Sequence, residues 1–241
     1  MYKYLNNKKY FFLVFLLWII FGGSCSDDES TSSSDNDNIY DVDAKGIPKF
    51  VTVNYIDLSI IGKISKFRSS EGHDYSDDFE SCRSMKHYFA PKGYINWATT
   101  SINIYSPVKG KVIRAFQEWA GTQVQIYSDD YPAFYFAIFH INLANPLNEG
   151  DEISAGQLLG THVGPATWSD IAVGVATPDG RKLVSYFDVM TDEVFQAYQA
   201  RGLSSRSDVI IAKEARDADT LNCSGDSFLN IGQLERWVYL N

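Results

Sequence analysis

The chain holds four histidines, His73, His87, His140 and His162, among 30 acidic and 21 basic residues. Imidazoles set near carboxylates are the usual material for metal coordination and for general acid–base work. His73-Asp74-Tyr75-Ser76-Asp77 places an imidazole and a carboxylate four positions apart, and His87 follows in Ser84-Met85-Lys86-His87-Tyr88. Both groups fall in residues 68–88, together with Asp74, Asp78, Glu80, Arg83, Lys86 and Cys82. A solvated loop is the simplest home for so many charges. The cysteine and the aromatic residues Tyr75, Phe79 and Tyr88 imply instead that the segment is pinned against the body. Asp77, Asp78 and Glu80 are too close in sequence to give the separation across a sugar that paired glycosidase carboxylates require. Ser84, His87 and Asp170 compose a Ser-His-Asp set on paper, but no G-x-S-x-G turn surrounds any serine.

The elements that must position these groups read as strands. Residues 50–57 (FVTVNYID) alternate, and residues 58–67 read as a second strand. From residue 102 the pattern is strand and turn: residues 102–105, 111–116, 123–127, 133–141, 152–161, 171–176 and 182–187, with Pro178-Asp179-Gly180 a strong turn signal. Many short strands at close spacing predict an antiparallel sandwich or barrel. Residues 191–201 predict a helix that Thr191 caps and Gly202 ends, and residues 207–218 a second.

Three segments in order carry a family resemblance: Ser106-Pro107-Val108-Lys109-Gly110-Lys111-Val112-Ile113, then Phe139-His140-Ile141-Asn142-Leu143, then Gly150-Asp151-Glu152-Ile153-Ser154-Ala155-Gly156-Gln157-Leu158-Leu159-Gly160. They resemble the lysostaphin-like (LytM-type) metalloendopeptidase domain over residues 106–176. The resemblance implies a mainly β fold of the duplicated hybrid-motif type, with a groove holding one zinc ion. It implies two ligands from an H-x-x-x-D motif and a third from an H-x-H motif, whose other histidine is a base. A zinc-bound water then attacks a peptide bond of peptidoglycan, because three protein ligands leave an open position and lower the pKa of that water. His140 matches the histidine of the middle segment and is the catalytic candidate. His73 with Asp77 has the spacing of the first ligand motif, and His87 is the other candidate there. The H-x-H motif is missing. Its slots hold Asp170 and Ala172, and alanine cannot bind a metal. Asp170 and His162 are groove candidates, and His73, Asp77 and His162 form an alternative zinc set.

The start of the chain carries a second resemblance. Lys3, Lys8 and Lys9 precede an apolar run, YFFLVFLLWIIF, that ends in Gly22-Gly23-Ser24-Cys25. The run suits the core of a signal peptide. Small residues before a cysteine resemble the lipobox of bacterial lipoproteins, in the form common in Bacteroidota. The resemblance implies cleavage before Cys25, lipid on its sulfur and a membrane anchor at the outer membrane. The acidic stretch after Cys25 resembles the signal for the cell surface. With Cys25 lipidated, Cys82 and Cys223 remain to pair in an oxidising compartment. The expected organisation is a signal peptide over 1–24, an acidic flexible tether over 25–46, and one LytM-like β domain with a C-terminal helical extension over 47–241.

Loss of the leader removes three lysines and no acid, leaving 18 basic against 30 acidic residues and a net charge of −12. No basic run offsets this, which excludes a general attraction for nucleic acid. With fold outlasting chemistry, the expected function is a lipid-anchored envelope protein whose peptidase-like domain binds a cell-wall or extracellular glycan or peptide without cutting it. An active, divergent zinc endopeptidase is the alternative, and a metal-free enzyme using Asp77, Glu80, His87 and Asp170 is a third reading.

Overall fold

A computed structural model describes residues 38–93 and 95–241. The leader and Cys25 lie outside them. The strands, in chain order, are β1 (Ile61–Ser65), β2 (His87–Pro91), β3 (Asn103–Tyr105), β4 (Gly110–Gln117), β5 (Thr122–Ser128), β6 (Phe134–Leu143), β7 (Glu152–Ile153), β8 (Leu158–His162), β9 (Ser169–Thr177), β10 (Gly180–Val184), β11 (Cys223–Ser224), β12 (Ser227–Phe228) and β13 (Trp237–Tyr239). The helices are α1 (Val42–Lys45), α2 (Asp192–Gln199) and α3 (Lys213–Ala218). The main sheet runs β13-β1-β2-β9-β6-β5-β4-β7, with β10 on β9 and with β8 bridging β6 to β3. Its strand pairs are antiparallel. The fold is mainly β, as the sequence pattern predicts.

The hub is β6, FYFAIFHINL, which is apolar on both faces because it lies at the centre of the sheet. One edge pairs with β5. The other pairs with β9 over Phe134–Ile138 and then with β8 from Ile141 onward. Phe139 and His140 fall in the gap where β6 leaves one partner for the other. On the β5 side the register also slips here: two residues, Phe139 and His140, oppose Gln123 alone. This is a β-bulge, and His140 adopts a left-handed backbone, φ 64°. Bulges re-aim side chains and occur beside functional sites.

Several expectations change. Residues 50–57 form no strand. Phe50, Val51, Tyr55 and Ile56 are buried as predicted, but only isolated bridges, Val51 to Met190 and Ile56 to Ile104, replace a ladder. Residues 152–161 split into β7 and β8 around the turn at Ser154–Gln157, where Gln157 N–H donates to Ser154 O. The helix over 191–201 is confirmed as α2, with Thr191 accepting from Val194 N–H. The stretch 207–218 divides into a 3-10 turn, Arg206–Val209, and α3. The ordered body also begins before residue 47. Tyr40 N–H donates to Ala176 O, and Val42 of α1 enters the core.

The charged stretch 68–86 is pinned, as its cysteine and aromatic residues imply. Cys82 and Cys223 form a disulfide across a sequence separation of 141. Arg68 binds Glu80 through two nitrogens, Nε at 2.8 Å and Nη2 at 2.7 Å, and Arg83 Nη1 reaches the same carboxylate at 2.7 Å. Arg83 also reaches Asp217 of α3 at 2.9 Å, and buried Arg216 donates to Arg68 O at 2.9 Å. Glu80, one of the acids of the metal-free reading, is thus consumed by two arginines, which hold its carboxyl below the usual range despite burial. A crosslink over so long a loop contributes about 5 kcal/mol in the chain-entropy description. Cys82→Ser/Cys223→Ser is expected to lower unfolding free energy by a few kcal/mol in a denaturant titration, and to loosen residues 68–86 first in hydrogen exchange.

Candidate functional site

Strand parity selects which side chains face the cleft. Along the chain through β2, Lys86, Tyr88 and Ala90 point to one side and His87 and Phe89 to the other. The β2–β9 register sets Tyr88 opposite Asp170 and His87 opposite Ile171. Lys86, Tyr88 and Asp170 therefore share the face on which the β6 bulge presents His140. His87 turns into the core. Its Nδ1–H donates to Ser65 O at 2.8 Å, and its Nε2 accepts from Ser185 Oγ at 2.8 Å. Burial pushes this imidazole down to about 4. His87 thus sits in the core as a hydrogen-bonding group, away from the face that carries His140.

The cleft has a volume of about 590 Å³. Its floor is an ion pair, Lys86 Nζ to Asp170 Oδ2 at 2.5 Å, between side chains that are 1% and 0% exposed. Neither Asp170 oxygen accepts a hydrogen bond of regular geometry, so charge rather than directed bonding holds the pair. His140 Nε2 lies 3.3 Å from Asp170 Oδ1. Its Nδ1 lies 2.9 Å from Ala120 O. A carbonyl only accepts, so Nδ1 carries a proton and Nε2 is the nitrogen turned to the carboxylate.

His73 completes the row. Its Nδ1–H donates to Asp74 O at 2.8 Å, and its Nε2 accepts from Lys86 Nζ at 3.2 Å. Burial and then the Lys86 charge lower the His73 pKa. Gly72 beside it has φ +73°, and a Cβ there would lie 2.0 Å from Tyr88 Oη, so only glycine lets the loop close over the cleft. Aromatic faces enclose the ammonium: Phe139 at 4.1 Å, Tyr75 at 5.0 Å and Tyr88 at 5.1 Å from ring centroid to Nζ. Glu118, Trp119, Gln123 and the segment from Pro165 to Trp168 also line the cleft. Trp119 is 77% exposed, and its ring lies 5.7 Å from that of His140. Burial raises the Glu118 carboxyl against the opposing charges of His140 and Lys86.

The structure brings together His73, His140 and Asp170 of the residues expected at the site. It leaves out Asp77, whose carboxylate caps Phe79 N–H and Glu80 N–H at 2.9 Å each and accepts from Leu183 N–H at 2.9 Å. His162 stands beside the site in β8, its ring 5.3 Å from Trp97. Burial, then the His140 charge, pushes it down to about 4. Ala172 packs in a small apolar cluster with Ala137 and Phe139. Among the described residues no group of three or more His, Cys, Asp or Glu is arranged to hold a metal ion. The expected zinc set of His73, Asp77 and His87, and its variant with His162, is therefore not assembled, and the residues present do not fit the ion. Lys86, Trp119 and Trp168 were not among the expected site residues. The available signal was Lys86 itself, a charge directly before the apolar run His87–Pro91.

No family model matches the chain, and no curated protein matches it. Among solved structures the chain is similar to the SpoIIQ–SpoIIIAH pore-forming complex, at 12% identity over 63% of this chain and 98% of that one, TM-score 0.42. It is also similar to an M23 metalloprotease, pseudoalterin from the deep sea, at 16% identity over 58% of this chain and 75% of that one, TM-score 0.34. Lysostaphin is similar at 12% identity over 62% and 60%, TM-score 0.31. The site described above stands on the chain's own geometry.

Two outcomes follow from the buried charges. Lys86→Met or Asp170→Leu alone strands a charge in the interior and is expected to cost about 3–5 kcal/mol. The double substitution should cost clearly less than the two added, as a cycle of urea titrations would measure. His87 is neutral in the fold down to about 4, whereas an unfolded histidine takes its proton near 6.5. The unfolded chain thus binds more protons below that value, so stability is full above about pH 6.5 and falls toward pH 4. The His87 share of the loss is about 3 kcal/mol. His162 adds to it in the same window. His87→Gln should flatten the fall in urea midpoint between pH 7 and 4.5.

Proposed function

We propose that this chain is an exported, lipid-anchored envelope protein whose β domain binds a cell-wall or extracellular glycan or peptide in the His140 cleft without hydrolysing it. The observation that carries this reading is the cleft floor. Lys86 neutralises Asp170 at 2.5 Å, and Ala172 fills the slot where the resemblance requires a ligand. A pocket rimmed by Trp119 and Trp168, with Gln123, Glu118 and His73 as polar anchors, remains suited to binding. Aromatic walls with a few convergent polar groups are the usual make-up of a small-molecule site. The lipobox-like Gly22-Gly23-Ser24-Cys25 supports the anchor, and the Cys82–Cys223 disulfide agrees with an oxidising compartment.

Titration of soluble peptidoglycan fragments, a stem peptide and a free glycan chain separately, is expected to change tryptophan fluorescence with saturation and with no product formed. Trp119→Ala should weaken the binding about tenfold, the loss of one aromatic anchor. Absence of binding to either fragment would refute the reading. Cleavage of the stem peptide on adding zinc would install the peptidase alternative in its place.

A further inference from the structure

An ammonium sits between one imidazole nitrogen and one carboxylate oxygen in the cleft, and a second imidazole faces the other oxygen of that carboxylate. Lys86 Nζ stands 2.5 Å from Asp170 Oδ2 and 3.2 Å from His73 Nε2. Asp170 Oδ1 stands 3.3 Å from His140 Nε2. A lysine ammonium donates and never accepts. It therefore uses the His73 lone pair and the Asp170 charge, which are what a divalent cation would require of them. The rings of Phe139, Tyr75 and Tyr88 close around it, and each attracts a cation to its face. The whole lysine side chain is buried, so the head cannot swing out to water in exchange for another ion.

We propose that Lys86 is a resident cation. It holds the donor set His73, Asp170 and His140 together in the absence of a metal and keeps the cleft closed to divalent ions. The exclusion is electrostatic. A second cation placed within a few ångströms of the ammonium, in a site with little water, meets strong repulsion. Glu118 is the other carboxyl that lines the cleft, and burial raises its pKa, which favours its neutral form and limits what it can offset. The donors themselves are of the right type, nitrogen and oxygen in the ratio that borderline divalent ions accept. Removing the ammonium should thus open a metal site rather than leave an inert hole. The proposal concerns the floor of the cleft and stands whether or not a glycan or peptide binds above it.

Cobalt(II) and zinc are the probes, on the full chain freed of metal beforehand. Lys86→Ala is expected to take up one cobalt ion per chain, with the strong visible absorption of a low-coordinate site, displaced by zinc and lost in Lys86→Ala/His140→Ala. Wild type is expected to take up none that depends on these residues. A Lys86→Ala chain with a native circular dichroism spectrum and no metal uptake would overturn the proposal. Should Lys86→Ala fail to fold, wild type decides: stoichiometric uptake abolished by His73→Ala or His140→Ala overturns it. Absence of uptake, or uptake that those substitutions leave unchanged, sustains it.

Discussion

A lysine ammonium and an aspartate carboxylate, 2.5 Å apart and nearly without solvent, set the terms on which the rest of the cleft is built. Taking two such charges out of water costs several kcal/mol each, and their attraction offsets this only where the geometry is close and the remaining sites are served. Every group near the pair follows from that condition. Three aromatic rings supply quadrupole attraction to the ammonium. His73 Nε2 accepts a hydrogen bond from the ammonium, and His140 faces the second carboxylate oxygen. The pair is a device for holding polar groups in a fixed row within an apolar sheet, at a cost to stability that packing elsewhere must offset.

That offset comes from the sheet and from the tie at its edge. Phe89, Phe134, Phe136 and Phe187 are all but sealed from solvent, and the long central strand β6 anchors two partners on one edge. The point where β6 exchanges β9 for β8 is also the point of the bulge. An uninterrupted ladder would have left no opening there, and its strict alternation would have aimed Phe139 or His140 elsewhere. The left-handed backbone at His140 is thus the local strain that buys the cleft. On the other side, the Cys82–Cys223 bond and the arginine contacts to Glu80 and Asp217 hold residues 68–86 in place, so that His73 meets Lys86 across a loop rather than along a strand.

Much of this was legible in the residues and some was not, for identifiable reasons. His140 was readable because it lies in a motif between two others at the right distances. Asp170 was readable because it occupies a position where the pattern expects a different group. The polar stretch 68–88 was readable as pinned, since its cysteine and aromatic residues have no use in water. His87 and Asp77 do not share the cleft with His73 and His140, because spacing along the chain is a poor guide when the chain is not helical. Asp77 turned its carboxylate onto three backbone N–H groups, as short acidic side chains in turns commonly do. The strand expected over 50–57 failed because alternation marks burial, and burial was met by docking on Met190 and Ile104 without a ladder.

The sequence by itself determined the strand-rich class, the helix that Thr191 caps and the motif in which His140 stands. These depend on local periodicity, on capping chemistry and on short motifs, which act over a few residues. Only the tertiary structure decided which of two adjacent residues, Lys86 or His87, enters the cleft. Side chains in a strand alternate, so a shift of one residue in register exchanges the whole set, and that register is set by the pairing of Tyr88 with Asp170, far apart in the chain. The same pairing brought an ammonium and a carboxylate together from distant segments. No pattern in either segment alone announces the other, because an ion pair is a property of the space between them.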